Sequence, residues 1–166
     1  MADQLAQAKK WVEKKCADGK YIAYFQSFTN TYAPVERMET MFRAAMEPED
    51  IVGLAIATRP DCLPEETVAL LARLAREKYV SVELGLQTVH NDTARAMNRC
   101  YDTDVYFDAV KRLRNAGLEV VTHLILGLPG ESREAMVESA RQGAAAGTDG
   151  VKFHLLHVMA DAPLAE

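Results

Sequence analysis

Glu83, Gln87 and Arg99 lie within one stretch, 80–100 (V-S-V-E-L-G-L-Q-T-V-H-N-D-T-A-R-A-M-N-R-C), and each carries a group able to do chemistry. A carboxylate inside an otherwise apolar run costs several kcal/mol unless it is paired, so Glu83 is there for a reason. A carboxamide such as Gln87 both donates to and accepts from hydroxyls, and the guanidinium fork of Arg99 matches a carboxylate. Further on, His123 sits in V-V-T-H-L-I-L, and Lys152 and His154 sit in V-K-F-H-L-L-H-V. With Glu83 they could share the inner face of neighbouring strands as a polar substrate floor, with a histidine moving protons. The same four could instead be a closed buried network in which Lys152 or a histidine neutralises Glu83. Arg59 and Asp61 flank Pro60 and could face a cofactor and substrate or pair with each other, the ion pair being the favoured reading.

The elements that must position these residues follow from hydrophobic periodicity. In 80–87, Val80, Val82, Leu84 and Leu86 alternate with Ser81, Glu83, Gly85 and Gln87, the two-residue period of a strand. Near-continuous apolar runs at 21–28 (Y-I-A-Y-F-Q-S-F), 51–58 (I-V-G-L-A-I-A-T), 120–126 and 151–158 predict four more strands. Between them stand helical patterns. One begins at Pro34 and turns Val35, Met38, Met41, Phe42 and Ala45 inward, and another opens at Pro64, Glu65 and Glu66 and runs to about Lys78. A third begins at Thr103 and is closed by Gly117, and a fourth is capped by Ser132 and closed by Gly147. A first helix over 5–15 carries Leu5, Ala8, Trp11 and Val12 on one side. Strands alternating with helices predict an α/β fold, a parallel sheet of about five strands with covering helices and right-handed crossovers. In such sheets ligands gather at the carboxyl ends of the strands. The polar strand-end residues Gln26, Ser27, Thr29, Asn30, Thr58, Arg59, Asp61, Gln87 and the G-L-P-G turn obey that rule.

A chain of 166 residues, 49% hydrophobic and 26% charged, reads as one globular domain over 1–166. The net charge of −5 does not support a nucleic-acid partner gripped through its phosphates. No apolar run approaches the ~20 residues of a membrane span and the first residues hold no signal core, so the expectation is a cytoplasmic protein with no membrane partner. Cys16, Cys62 and Cys100 are far apart, without C-x-x-C spacing, so no metal site is predicted from them. The pattern opens in a helix with no strand before it and closes on a strand with no helix after it. It reads as a piece of a larger barrel, with open sheet edges at 21–28 and 151–158 through which copies could associate as a homo-oligomer.

T-R-P-D, V-E-L-G-L-Q-T and H-L-I-L-G-L-P-G-E stand in order on successive strand ends, with Y-F-Q-S-F-T-N-T-Y-A-P before them and K-F-H-L-L-H-V after. In this order they resemble the radical S-adenosylmethionine (SAM) superfamily, in its YhcC-like branch related to the Elongator catalytic subunit. The resemblance implies a partial TIM-like (β/α)6 barrel of which this chain supplies strands two to six and lacks the first unit. It also implies two cofactors: SAM, and a 4Fe–4S cluster held by a C-x-x-x-C-x-x-C loop that is absent here. The implied activity of the intact parent is reductive SAM cleavage and hydrogen abstraction from an unknown substrate, this chain alone being inactive. A non-catalytic α/β module acting as a binding scaffold is the alternative, and a barrel enzyme for a phosphorylated metabolite is a third reading.

Carried over residue by residue, the resemblance assigns Gln87 to the ribose region of SAM and Arg99 to its methionyl carboxylate. Ser27, Thr29 and Asn30 fall in the loop that meets the amino group, and Ile125, Gly127 and Leu128 in the segment along adenine. His123 and Gly130 depart from the residues common in other branches, and Ala57 stands where Elongator-like relatives carry glutamate. Glu83, His123, Lys152 and His154 remain the catalytic candidates.

Overall fold

The computed structural model describes residues 2–13, 19–162 and 164. Its elements run α1 (Ala2–Glu13), β1 (Tyr21–Phe25), α2 (Val35–Met46), β2 (Ile51–Thr58), a 3-10 turn (Pro60–Cys62), α3 (Glu65–Ala75), β3 (Tyr79–Gln87), α4 (Asn91–Ala96), α5 (Thr103–Asn115), β4 (Glu119–Leu126), α6 (Arg133–Ala145) and β5 (Gly150–Leu155). The five strands form one parallel sheet in the order β1-β2-β3-β4-β5, curled into a half barrel with helices on its outer side. Among the described residues no helix is long and apolar enough to cross a membrane.

Alternation along each strand separates two environments. Leu54 and Ile56 of β2, Val80, Val82, Leu84 and Leu86 of β3, and Val120 and Leu124 of β4 enter one core with Phe42, Leu70, Leu71, Tyr106 and Leu113 from the helices. Phe25 meets Phe42 edge to face at 5.2 Å, and the buried Tyr106 hydroxyl pairs with Thr122 Oγ1 at 2.6 Å. The opposite residues line the inner face, and many are small: Gly53, Ala55 and Ala57 on β2, Ser81 and Gly85 on β3. At Gly53 smallness is obligatory, because an added Cβ would lie 2.5 Å from the Tyr79 carbonyl oxygen and 2.8 Å from its Cβ.

Several boundaries differ from the sequence reading. The first strand stops at Phe25 rather than 28, because the Asn30 side chain donates to the Phe25 and Ala57 carbonyls at 2.9 Å each and folds the chain over the strand ends. Phe28, at φ +64, is left 97% exposed in that loop. The last strand stops at Leu155. Helix α3 ends at Ala75, which frees Lys78 to donate to the carbonyls of Met46, Pro48 and Ile51 at 2.5, 3.1 and 2.6 Å and fasten the α2–β2 connection. The polar segment after β3 holds a short helix, α4, that the sequence reading missed. In α1 only Leu5 packs on the core, while Trp11 and Val12, expected on the packed face, are exposed. Lys15 and Cys16 lie outside the described residues.

Replacing Gly53 with alanine should push β2 away from β3 and lower stability by about 1–3 kcal/mol. The check is urea unfolding followed by circular dichroism, and an unmoved midpoint would show that the sheet yields freely at this point.

Candidate active site

Three strands send a side chain to one oxygen atom on a fourth. Glu83 Oε2 on β3 accepts from the Tyr24 hydroxyl of β1 at 2.8 Å, from His123 Nε2 of β4 at 2.5 Å and from Lys152 Nζ of β5 at 3.1 Å. Lys152 also donates to the Tyr24 hydroxyl at 3.0 Å and stands 4.6 Å from the centre of its ring. In a flat sheet β1 and β5 would be roughly 19 Å apart, so this contact exists only because the sheet curls. The strands are also inclined. Tyr24 pairs through Ala55 with Ser81, so Glu83 is two residues further along; Glu83 pairs with Val121, so His123 is two further again; His123 is level with Lys152. That diagonal is the stagger of a barrel, and it brings residues of unequal register to equal height.

Charge in the cluster is settled by burial and contact. Burial pushes the Glu83 carboxyl upward, yet the Tyr24, Lys152 and His123 donors together hold it below the ordinary carboxylate range. Burial pushes His123 down and outweighs the pull of Glu83, so the ring is neutral. Lys152 is held above its ordinary value by Tyr24 and Glu83 against the opposing effect of burial. The ion pair is therefore Glu83–Lys152, and His123 is a neutral donor to it. His154 lies beside His123 with ring centres 5.0 Å apart and ring planes tilted by 48°, and its buried Nε2 has no partner among the described residues. All four catalytic candidates thus come together. Tyr24, which the sequence reading counted only as part of an apolar strand, is the fifth member.

Above this floor the strand ends form a rim, and there Arg99 differs from expectation. It is buried and all five of its N–H groups are engaged: Nε with the Tyr101 carbonyl at 3.0 Å, Nη1 with the Leu86 and Thr88 carbonyls at 2.8 and 2.6 Å, Nη2 with Asn91 Oδ1 and Thr103 Oγ1 at 3.0 Å each. No donor is left for a ligand carboxylate, so the expected direct contact is corrected to a strut. The chain turns at Gln87, φ +58, and Arg99 takes up the carbonyls on either side of the turn, that of Leu86 accepting from Thr88 N as well.

Gln87 folds back over Gly85, where an added Cβ would lie 2.3 Å from its Nε2. The Tyr101 hydroxyl donates to the Gly85 carbonyl at 2.6 Å and lies 3.2 Å from Gln87 Oε1. Burial raises that hydroxyl to about 12, so it stays a donor. The Tyr101 ring lies between Arg99 at 4.9 Å and Arg59 at 5.5 Å, and Arg59 pairs with Asp61 at 2.6 Å as read from the sequence.

The other predicted rim residues are divided. Ser27 is exposed, and with Asn30 and Tyr24 it borders a groove of about 460 Å³ along β1. The Asn30 amide donors clamp the β1 and β2 ends, and Thr29 offers its carbonyl to Tyr32 N at 3.2 Å. Ile125 lies half-buried on the same strand face as His123. Gly127 turns at φ +85 with nothing within 4 Å of a Cβ built there, which leaves room beside its backbone. Leu128 is 2% exposed and packs inward, so only its backbone can face a ligand. The turn is tied to β3 by buried Thr88, which donates to Glu131 and lies 3.3 Å from Ser139 Oγ. Thr88 and Glu131 stand inside the motifs V-E-L-G-L-Q-T and H-L-I-L-G-L-P-G-E but were given no role from the sequence, and nothing there marked Ser139 or Tyr101. Among the described residues no cluster of His, Cys, Asp and Glu could hold a metal ion, and Cys62 and Cys100 are free. The residues present do not fit an iron–sulfur cluster, whereas the rim has donors, carbonyls and an open glycine backbone that fit a nucleotide-like ligand.

Comparison with known proteins gives the family and the fold. The sequence profile of the radical SAM superfamily matches residues 3–143. The chain is similar to YtqA of Bacillus subtilis, 47% identical over 163 residues covering 98% of this chain and 51% of that protein. It is also similar to YhcC of Escherichia coli K12, 37% identical over 167 aligned positions covering 100% of this chain and 53% of that protein. The chain thus spans about half the length of these relatives. The structure of the archaeal Methanocaldococcus infernus Elp3 with an N-terminal deletion superposes with a TM-score of 0.79 over 96% of this chain and 42% of that one, at 22% identity, which shows a shared fold.

Two outcomes are expected. Arg99→Lys, with three donors for five acceptors, should lower unfolding stability by about 2 kcal/mol or more, measured with urea. Because Glu83 and His123 both titrate below their ordinary values, their contributions to stability are present at neutral pH and are lost as pH falls, from about 6.5 for His123 and from about 4.5 for Glu83. Urea midpoints from pH 8 to 4 should show the first decline in the parent and not in His123→Asn; identical curves would remove the assignment.

Proposed function

Since the chain belongs to the radical SAM superfamily, we propose that its rim is the greater part of a SAM site and that the Glu83 cluster below is the substrate floor. The cluster-binding cysteines of the working enzyme would come from polypeptide outside this sequence. When bound beside a reduced 4Fe–4S cluster, SAM supplies one-electron chemistry, and the protein's share is binding, orientation and exclusion of water.

The observation that carries this reading is the junction of the β3 and β4 ends. Gln87 at φ +58 and Gly127 at φ +85 turn at the ends of neighbouring strands, and the segments that follow them are tied by the Thr88–Glu131 hydrogen bond. Gln87, with its Oε1 beside the Tyr101 hydroxyl, is set to present Nε2 to a ribose hydroxyl. Gly127 admits the flat face of adenine against its backbone, and the loop after β1 supplies oxygen acceptors for an amine. Arg99 holds Gln87 from behind, and no carboxylate is among its five acceptors, so its charge favours an anionic group at the rim.

The test uses the intact protein, anaerobically reconstituted and reduced, with 5′-deoxyadenosine released from SAM as the readout. Release is expected, and Gln87→Ala should weaken SAM binding by roughly tenfold, the worth of one or two hydrogen bonds. No release from the reconstituted protein, or unchanged binding in the variant, would overturn the reading.

A further inference from the structure

We propose that His123 is a proton-accepting residue for a hydroxyl-bearing substrate, with Glu83 positioning it. This rests on the floor being the substrate side and not on how SAM is held. The argument starts from the shared oxygen. An ionised carboxylate can only accept, so the neutral imidazole facing Glu83 Oε2 at 2.5 Å must carry its proton on Nε2. Nδ1 then holds a lone pair. No residue among those described hydrogen-bonds to Nδ1, and it is not among the fully buried unpartnered atoms, so it keeps some accessible surface. The His123 side chain retains 15% of its surface, enough for a small group to touch it.

His154 makes no hydrogen bond to Glu83, so nothing fixes which of its nitrogens carries the proton, and its Nε2 is buried without a partner among the described residues. The groups facing His123 are Glu83 from β3, Lys152 and His154 from β5, and Tyr24 across the cluster from β1. Glu83 opposes the charge that the ring would gain, which makes proton uptake feasible, while Lys152 and burial keep the ring neutral beforehand.

The neighbouring ammonium narrows the ligand. Lys152 carries three protons and has two hydrogen-bond partners, Tyr24 and Glu83, and its side chain is 39% exposed. A ligand here meets an acceptor at Nδ1 and a cationic donor at Nζ. A hydroxyl suits both, donating to one and accepting from the other. A carboxylate cannot donate to Nδ1 and is opposed by Glu83, and an alkylammonium is opposed by Lys152. In the transfer the substrate O–H proton moves to Nδ1 and the bonding pair stays on the substrate oxygen. The ring becomes an imidazolium facing Glu83, nothing is oxidised or reduced, and the proton returns to product or water in the reverse step.

The experiment needs neither SAM nor cluster, so its failure and that of the SAM reading are separable. Long-range proton–nitrogen NMR of the labelled chain at pH 7.5 should show His123 as the Nε2–H tautomer, titrating below 6.5. Glu83→Gln should move that titration lower still, and if this variant does not fold, Lys152→Met should move it higher. Glycerol should shift the His123 signals more than acetate or methylamine at equal concentration. An Nδ1–H tautomer, a ring protonated at pH 7.5, or a response to acetate or methylamine that equals or exceeds that to glycerol would overturn the proposal.

Discussion

Glu83 Oε2 is the atom on which the inner face converges. Three donors from three other strands meet it, and one of them, Lys152, also reaches back to Tyr24 on the far edge of the sheet. A carboxylate withdrawn from water is costly alone, so the contacts around Glu83 are as much a condition of burying it as a source of stability. Once formed, the cluster links β1 to β5 directly, and a sheet free to flatten would break it. The small residues of β2 belong to the same constraint: with Ala55 and Ala57 between Tyr24 and Glu83, the two side chains can meet across the strand that separates them.

The rim follows a different economy of groups. At the end of β3, where the chain turns at Gln87, a single buried guanidinium takes up the backbone carbonyls of Leu86 and Thr88. A residue with a strong functional signature thereby becomes structural, bracing the turn at Gln87 through the carbonyls on either side of it. Tyr101 completes this arrangement by holding the Gly85 carbonyl and the Gln87 amide while its ring rests between two guanidiniums. Gly85 and Gln87 are thus a matched pair, since the second occupies the space where the first has no side chain.

Floor and rim together define a site with a rigid support and an open mouth. The core beneath is apolar and packed by helices, the floor pairs one carboxylate with one ammonium, and the segments after Gln87 and Gly127 are tied by the Thr88–Glu131 hydrogen bond. Superfamily membership supplies the chemical context, and the chain spans about half the length of the relatives it matches.

The sequence by itself determined the elements and the faces. Alternation in V-S-V-E-L-G-L-Q placed Glu83, Gly85 and Gln87 opposite the core, and the recurrence of strand and helix settled a parallel sheet with its polar ends on one side. Those features depend on periods of two and 3.6 residues, which are local and survive in a string of letters. Only the tertiary structure decided who touches whom. Tyr24 reaches Glu83 and Lys152 because inclined, curled strands bring residues of different register to one height, and no local period encodes that stagger. Arg99 turned inward because its partners are mainly backbone carbonyls, which every residue carries and no motif reveals.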